Sequence, residues 1–381
     1  MADDLQSRWA ARDDRSFDPY DGLAGARVPS ALTRTRAGRL AAVHLHKRLP
    51  FNARRPLGIV PTKSAYTVAH FARACLLISR LSACDSAARA AESRLWWLRH
   101  NRVGDGWSYP FDVQTRTLHY SRSTPNIVCT AFAANAFLDA AEAGRDDGLA
   151  VGTAAARFVL RELRVHRPKR AYFGYLPGDE TLIHNANVLA AQLVVRAGLL
   201  ADRPSMVEAG LEAVETTVGA VGDDGAIPYG EGPGLGWVDG HHTGFVVEAM
   251  ADIAGQVGHR PLEPVVDATA AFYRLHLFDA DGWPRPRPGV RYPVDVIAAA
   301  QGIQTFARLG GQHLATAAAV AQFAIRRLRS PSGGFHYQRQ RLHVKRVPYA
   351  RWADAPMSLA LAFLGAALEA RRHHPAMGAH A

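Results

Sequence analysis

The chain has 381 residues, 48% hydrophobic and 21% charged, which is enough apolar material for a large core and excludes a disordered chain. Its formal charge of +11 and pI near 9.9 favour acidic partners. Basic residues are scattered and no nucleic-acid motif surrounds them, so we expect an acidic small molecule or polymer rather than a nucleic acid.

The compartment is indicated by what the sequence lacks. Cys75, Cys84 and Cys129 form no CxxC pair and no disulfide framework. No uninterrupted apolar run is long enough to span a bilayer, and the first residues lack the basic-then-apolar order of a secretory signal. These features predict a cytoplasmic protein without a transmembrane segment, and they leave its oligomeric state open.

Apolar residues recur mainly at helical spacing, with little strand alternation. Residues 1–30 are polar and are interpreted as an irregular arm, followed by a helix at about Ala31 to Lys47. The helices predicted after it are Ser64 to Leu81 with Ser86 to Arg99, Thr124 to Ala143 with Leu149 to Val165, His184 to Leu200 with Pro204 to Val218, His241 to Val257 with Pro261 to Leu277, Pro293 to Leu309 with His313 to Arg329, and the unpaired Pro356 to Arg372.

This series predicts an all-α, (α/α)6 toroid of helical hairpins. Because the last helix has no following partner, the helix near Ala31 would close the ring, giving one toroid domain over 31–381 with the arm 1–30 packed outside. Connections within pairs are short, whereas those between pairs are long, and long irregular loops are usually functional. In a toroid these long loops gather on one face, where inner-helix N-termini add partial positive charge suited to an anion.

The loop residues supply the candidate site. Tyrosine and histidine can act as acid or base, and arginine pairs bidentately with a carboxylate. We expect catalytic residues among Tyr175, His184, Tyr229, His241, Tyr337 and Tyr349. We expect substrate contacts from His119, Tyr120, Arg122, Asn126, Asp179, Glu180, Asn185, Asn187, Trp237, Asp239, Tyr292, Asp295, Gln301, His336, Arg341, Arg351, Trp352 and Asp354.

Some of these residues also have a purely structural interpretation. Asp179, Glu180 and Asp239 would cap helices, Asp295 suits a first helical turn, and His184 would be a core histidine. The crowding of polar groups over 179–187 nevertheless favours a site there.

Asp239, His241 and His242 raise the question of a metal. Their spacing matches no standard zinc pattern, and no HxxxH pair lies on one helix. We therefore expect neither a metal nor another cofactor.

Four segments, FGYLPGDETLIHNAN, YPVDVIAAAQGI, PYARWADAPM and the early FDPYDGL, resemble a family of α/α-toroid proteins encoded in bacterial polysaccharide-biosynthesis clusters. That family is similar in architecture to heparosan-type glucuronyl 5-epimerases and, more distantly, to terpene cyclases. The AAAQG of residues 298–302 resembles an alanine-glutamine-glycine feature of the epimerases, whose accessory β domains have no counterpart here. The resemblance implies a glycan context.

Four functions compete at this point. The leading one is a carbohydrate-active enzyme acting on a uronic-acid-containing glycan, as a 5-epimerase or a related lyase that removes the proton next to the carboxylate. A glycoside hydrolase would instead use two opposed carboxyl groups. The third is a non-catalytic glycan-binding toroid. The fourth, a terpene-type cyclase, is disfavoured because the sequence has no DxDD and no DDxxD motif.

Overall fold

A computed structural model describes residues 1–49, 52–115 and 117–373. Within them the helices are α1 Ala2–Ala10, α2 Ser30–Arg34, α3 Arg36–Arg48, α4 Ala65–Ser82, α5 Asp85–His100, α6 Ile127–Glu142, α7 Asp146–Phe158, α8 His184–Leu200, α9 Pro204–Val218, α10 Gly240–Val257, α11 Glu263–Leu277, α12 Val296–Leu309, α13 His313–Arg327 and α14 Ala355–His373.

The even-numbered helices from α4 to α14 form a closed inner ring. Each packs against the next, and α14 returns to α4. Inner helices such as α6 and α8 are apolar around most of their circumference, as expected for helices with neighbours on every side. Outer helices bury one face only: α9 buries Met206, Ala209, Gly210, Ala213 and Val214 at helical spacing. The predicted (α/α)6 toroid is confirmed.

The loops between hairpins contain short antiparallel strands. They are β1 Arg15–Ser16 with β2 Thr62–Lys63, β3 Val113–Gln114 with β4 His119–Tyr120, β5 Arg164–Arg167 with β6 Arg170–Phe173, and the three-stranded set β7 Val294–Asp295, β8 Gln338–Arg339 and β9 Val344–Lys345.

The sixth outer position is occupied differently from the prediction. Helix α1 packs against α14 and α4, so the expectation that the helix near Ala31 closes the ring is wrong. Leu5 and Trp9, one turn apart, are both buried, and Trp9 Nε1 donates a hydrogen bond of 2.7 Å to Asp354 Oδ2. Helix α3 lies instead against the turn Asp21–Leu23 and β3, on the loop face.

The segment Ala350–His373 is the one stretch of the described chain that is long and apolar enough to cross a membrane by length and composition. It comprises α14 and the turn before it, and 56% of its apolar window is buried. Because α14 has α4 and α12 as ring neighbours, its apolar character is explained by its place in the ring.

Candidate functional site

The long loops meet at the N-terminal ends of the inner helices and place their aromatic rings in a continuous set. His241 lies at its middle, one ring from His242 and one from Trp352. The ring-centroid distances are 4.2 Å for Tyr229–Trp237, 4.7 Å for Tyr229–His242, 3.8 Å for His241–His242, 6.0 Å for His241–Trp352, 6.2 Å for Trp352–Tyr337 and 5.2 Å for Tyr337–Tyr349.

Arg351 is a buried cation in this region. It forms two hydrogen bonds to the Asp18 carboxylate, Nε to Oδ2 at 2.5 Å and Nη2 to Oδ1 at 2.7 Å. Its guanidinium lies 4.5 Å from the Tyr109 ring centroid and 4.7 Å from that of Trp352. Burial disfavours the charge, but Asp18 more than offsets this and raises the pKa of Arg351 well above its usual value.

Three tyrosines gather beside Arg351. The rings of Tyr120 and Tyr175 are 6.2 Å apart, and the Arg351 guanidinium lies over the ring of Tyr109. Burial raises the pKa of Tyr175 to about 12 and raises those of Tyr109 and Tyr120 as well. These hydroxyls therefore stay protonated at neutral pH and can donate hydrogen bonds or protons.

Asp239 organises the two histidines at the start of α10. Its carboxylate accepts from the backbone N–H groups of His241 at 3.1 Å and His242 at 2.8 Å, as an N-cap does. Its Oδ2 also lies 2.7 Å from His242 Nδ1. Burial and, to a smaller extent, the neighbouring His242 lower the pKa of His241 to about 3, although Asp239 opposes the shift, so the imidazole is neutral at pH 7.

Asp239, His241 and His242 also form the one group of potential metal ligands found in the described residues, with ligand atoms within 4.8 Å of one another. They fit a metal poorly, because Asp239 is already engaged in capping α10 and in holding the His242 ring. The absence of a metal stays a prediction.

Asp295 precedes α12, the ring neighbour of α10. The pairing of β7 with β8 places Gln338 opposite it, and Gln338 Nε2 donates a hydrogen bond of 2.5 Å to Asp295 Oδ1. Burial raises the pKa of Asp295 to about 6, although the Gln338 hydrogen bond and Lys47 oppose the shift. Asp239 behaves oppositely: despite burial, the two histidines hold its pKa well below the usual value.

The described residues that precede α4, up to Ser64 and called the N-terminal arm below, contribute side chains that the sequence analysis did not select. Besides Asp18, the arm brings Tyr20, whose ring lies 5.5 Å from that of Trp352, and Lys47, whose Nζ donates a hydrogen bond of 2.6 Å to the Tyr20 hydroxyl. A buried ion pair between Arg54 and Asp21 (2.7 Å) fixes the arm. The sequence signal was present, since FDPYDGL spans residues 17–23 and contributes to the family resemblance, but none of its residues was selected for the site.

No protein-family model matches the sequence, and the search of curated proteins gives no significant sequence relative. Solved structures do resemble the chain. Cellobiose 2-epimerase from Bacillus thermoamylovorans matches with TM-score 0.63 and 8% identity over 79% of this chain and 87% of that one. A D-mannose isomerase matches with TM-score 0.62 and 9% identity over 80% of this chain and 87% of that one. An unsaturated glucuronyl hydrolase specific for heparin matches with TM-score 0.62 and 13% identity over 82% of this chain and 90% of that one. The chain shares their α/α-toroid fold.

Several predicted site residues are part of the toroid's framework. His184 is fully buried, with Nδ1 3.2 Å from Thr217 Oγ1, and burial lowers its pKa to about 4. The other buried framework residues are Asn126, which caps α6; Asn187, which bonds Phe173 N, Ala213 O and Thr217 Oγ1; Gln301, which bonds Glu248 and Thr305; and Asp354, which accepts from Trp9 and from Phe335 N.

Other predicted residues lie at the rim of the toroid or outside it. His119, Arg122, Glu180 and Arg341 are exposed, and Glu180 is paired with Arg167. Asp179, Tyr292 and His336 are half-buried, and Tyr292 packs edge-on against Trp283 at 5.3 Å. Asn185 is buried and lines a small cavity with Tyr229, Asp239 and His242.

Proposed function

We propose that the protein is a carbohydrate-active enzyme that moves the proton next to the carboxylate of a uronic-acid residue, as a 5-epimerase or a related lyase. The observation that carries the proposal is the presence of His241 and Asp295 at the same end of the neighbouring inner helices α10 and α12. A neutral imidazole and a carboxyl group with a pKa of about 6 lie at the starts of neighbouring inner helices, and both side chains are partly exposed. The neutral imidazole has a free lone pair that can accept a proton, and the carboxyl group can donate one when it is protonated.

The proposed reaction begins when His241 takes the proton from carbon 5. The electron pair of that C–H bond moves into the carboxylate, giving an enediolate whose charge the cationic surroundings stabilise. For epimerisation, an acid, either Asp295 or Tyr175, returns a proton to the opposite face of carbon 5. For elimination, the bond from carbon 4 to its oxygen breaks, a C4=C5 double bond forms, and the acid protonates the departing oxygen.

The surroundings also suit a sugar. Tyr20, Trp237 and Trp352 present partly exposed aromatic rings at the site, and aromatic surfaces pack against the apolar faces of sugar rings. The fold is compatible with this chemistry, because the names of the similar structures include two sugar isomerising enzymes and one hydrolase named for an unsaturated uronic acid. We extend the proposal to a cytoplasmic enzyme whose partner is an acidic glycan from polysaccharide biosynthesis.

The test is incubation of the protein with uronate-containing polymers in deuterated water, followed by NMR and absorbance. Deuterium at carbon 5 is expected for epimerisation, and an ultraviolet-absorbing unsaturated product for elimination. His241→Ala should abolish either signal, whereas His119→Ala, at an exposed position, should leave it intact. Binding without isotope exchange or product would overturn the enzyme proposal in favour of a non-catalytic glycan-binding toroid.

A glycoside hydrolase is the second candidate, and the two aspartates favour it. Asp239 is held ionised while Asp295 has a raised pKa, and two carboxyl groups with separated pKa values are what glycoside hydrolysis uses. New reducing ends without unsaturation and without deuterium at carbon 5 would establish hydrolysis instead of proton transfer. In that case Asp239→Asn should be as damaging as Asp295→Asn.

A further inference from the structure

A substrate carboxylate needs a cation, and the two arginines predicted for this role are poorly placed. Arg351 already donates from Nε and Nη2 to the two oxygens of the Asp18 carboxylate, and both residues of this ion pair are buried. Arg341 lies exposed on the turn that joins β8 to β9. A uronate would have to compete with Asp18 to bind Arg351, and it would have to leave the site to bind Arg341.

Lys47 of the N-terminal arm is placed differently. Its Nζ donates to the Tyr20 hydroxyl at 2.6 Å and lies 4.4 Å from the centroid of the same ring. Both contacts are with a neutral group. Among the described residues, no carboxylate lies within ion-pair distance of Lys47, and its side chain is only partly buried.

A series of ring contacts links this ammonium group to His241: the Tyr20 ring that it touches lies 5.5 Å from the ring of Trp352, which lies 6.0 Å from that of His241. Lys47 lowers the pKa of His241, after the larger effects of burial, His242 and Asp239, and it lowers the pKa of Asp295, after burial and the Gln338 hydrogen bond. Its positive charge is therefore felt at both candidate proton-transfer groups. The backbone of the arm is tied down at this point, because Lys345 Nζ donates a hydrogen bond of 2.7 Å to Lys47 O.

We propose that Lys47 binds the substrate carboxylate, so that the N-terminal arm is a working part of the site. The inference rests on the proposed function, since it names the cation that the uronate chemistry requires. A cation next to the carboxylate makes the carbon 5 proton more acidic by stabilising the enediolate, and it selects acidic over neutral sugars. Tyr20 positions Lys47 by accepting its hydrogen bond and by packing against Trp352.

The test compares binding of a glucuronate-containing disaccharide with its glucose counterpart by calorimetry. Lys47→Met should lose at least tenfold in affinity for the acidic ligand and hardly change for the neutral one, and Lys47→Arg should restore most of the difference. The matched control is Lys63→Met, since Lys63 belongs to the same arm but is paired with Asp13 at 2.7 Å. Thermal unfolding of each variant checks that the arm remains folded.

The outcomes separate the two proposals. If the wild-type protein prefers the acidic ligand and Lys47→Met retains that preference, the role of Lys47 is overturned while the proposed function stands. If the wild-type protein does not prefer the acidic ligand, the proposed function fails and the inference fails with it. Equal losses for both ligands in Lys47→Met would show that the lysine only supports the arm, and would also overturn the inference.

Discussion

The proposed role of Asp295 as the acid can be tested directly through the pH dependence of activity. With a pKa of about 6 its acid form is abundant only below that pH, so activity that needs the acid should fall as the pH rises through about 6. Asp295→Asn should reduce the rate about 100-fold or more and remove this limb of the pH profile. Gln338→Ala should keep activity but move the limb to higher pH, because the hydrogen bond that opposes the raised pKa is lost.

Stability provides the control for that experiment. A carboxyl group whose folded pKa is raised from 3.8 to about 6 destabilises the fold above pH 6, by about 3 kcal/mol at full ionisation, and this penalty disappears as the pH falls from 6 to 4. Asp295→Asn should therefore raise, or at least preserve, the melting temperature at pH 8. A variant that loses both activity and stability would show that Asp295 only supports the structure.

For single residues, the sequence indicates which types of side chain lie near the loop face, but not which way each side chain points or what it contacts. The crowding of polar groups before each inner helix drew attention to His241, Asp295 and Arg351, which the structure places at the loop face, and their roles stay predictions. The same pattern also selected His184 and Asn187, which point into the framework, because polarity next to a helix start does not reveal which way a side chain faces. The partner of Arg351 is Asp18, 333 positions away, and no local pattern connects them.

At the scale of elements, helices α8 and α9 begin and end where the periodicity of the sequence predicts, because long apolar faces between clear breaks leave little freedom. Helix α1 was missed. Its nine residues are mostly polar, and only Leu5 and Trp9 carry the apolar signal, too little for a periodicity argument. Helix α1 belongs to the outer ring because it packs against α14 and α4, and helix propensity contains no information about such tertiary contacts.

Trp9 should accordingly be essential to the sixth outer position. It is 1% exposed and donates a hydrogen bond to Asp354, so Trp9→Ala removes a large buried ring and leaves Oδ2 of that carboxylate without its donor. We expect a loss of about 3–5 kcal/mol in the free energy of unfolding, measured with urea. The control is Trp96→Ala, since Trp96 is 62% exposed and its removal should change stability little. Equal effects of the two variants would show that α1 does not help to close the ring.

At the scale of the whole molecule, the end of the ring opposite the loops has its own organisation. A polar cavity of about 190 Å³ there is lined by residues from all six inner helices. Charges alternate around it, with Arg73 on α4, Asp139 on α6, Arg196 on α8, Asp252 on α10 and Arg308 on α12. On α14, Phe363 takes the sixth place, with the guanidinium carbons of Arg308 and Arg73 at 4.7 and 5.9 Å from its ring centroid. This alternation favours one order of helices around the ring over others, because swapping neighbours would bring like charges together.

Asp139 links two of the arginines in this ring of alternating charges, here called the charged girdle. Its carboxylate pairs with Arg73 at 2.6 Å and with Arg196 at 2.7 Å. Burial opposes ionisation, but the two arginines outweigh it and lower the pKa of Asp139 to about 2. A carboxyl group with a folded pKa below its unfolded value of 3.8 stabilises the fold above about pH 4 and loses that contribution as the pH falls towards 2.

Asp139→Asn should thus cost about 2–3 kcal/mol in the free energy of unfolding at pH 7, with the difference from the wild type shrinking below pH 4. The exposed ion pair of Arg99 with Asp147 is the matched comparison, and Asp147→Asn should change the free energy of unfolding by less than about 1 kcal/mol. If Asp139→Asn is equally mild at pH 7, the girdle contributes no net stability and the order of the helices is determined by apolar packing alone.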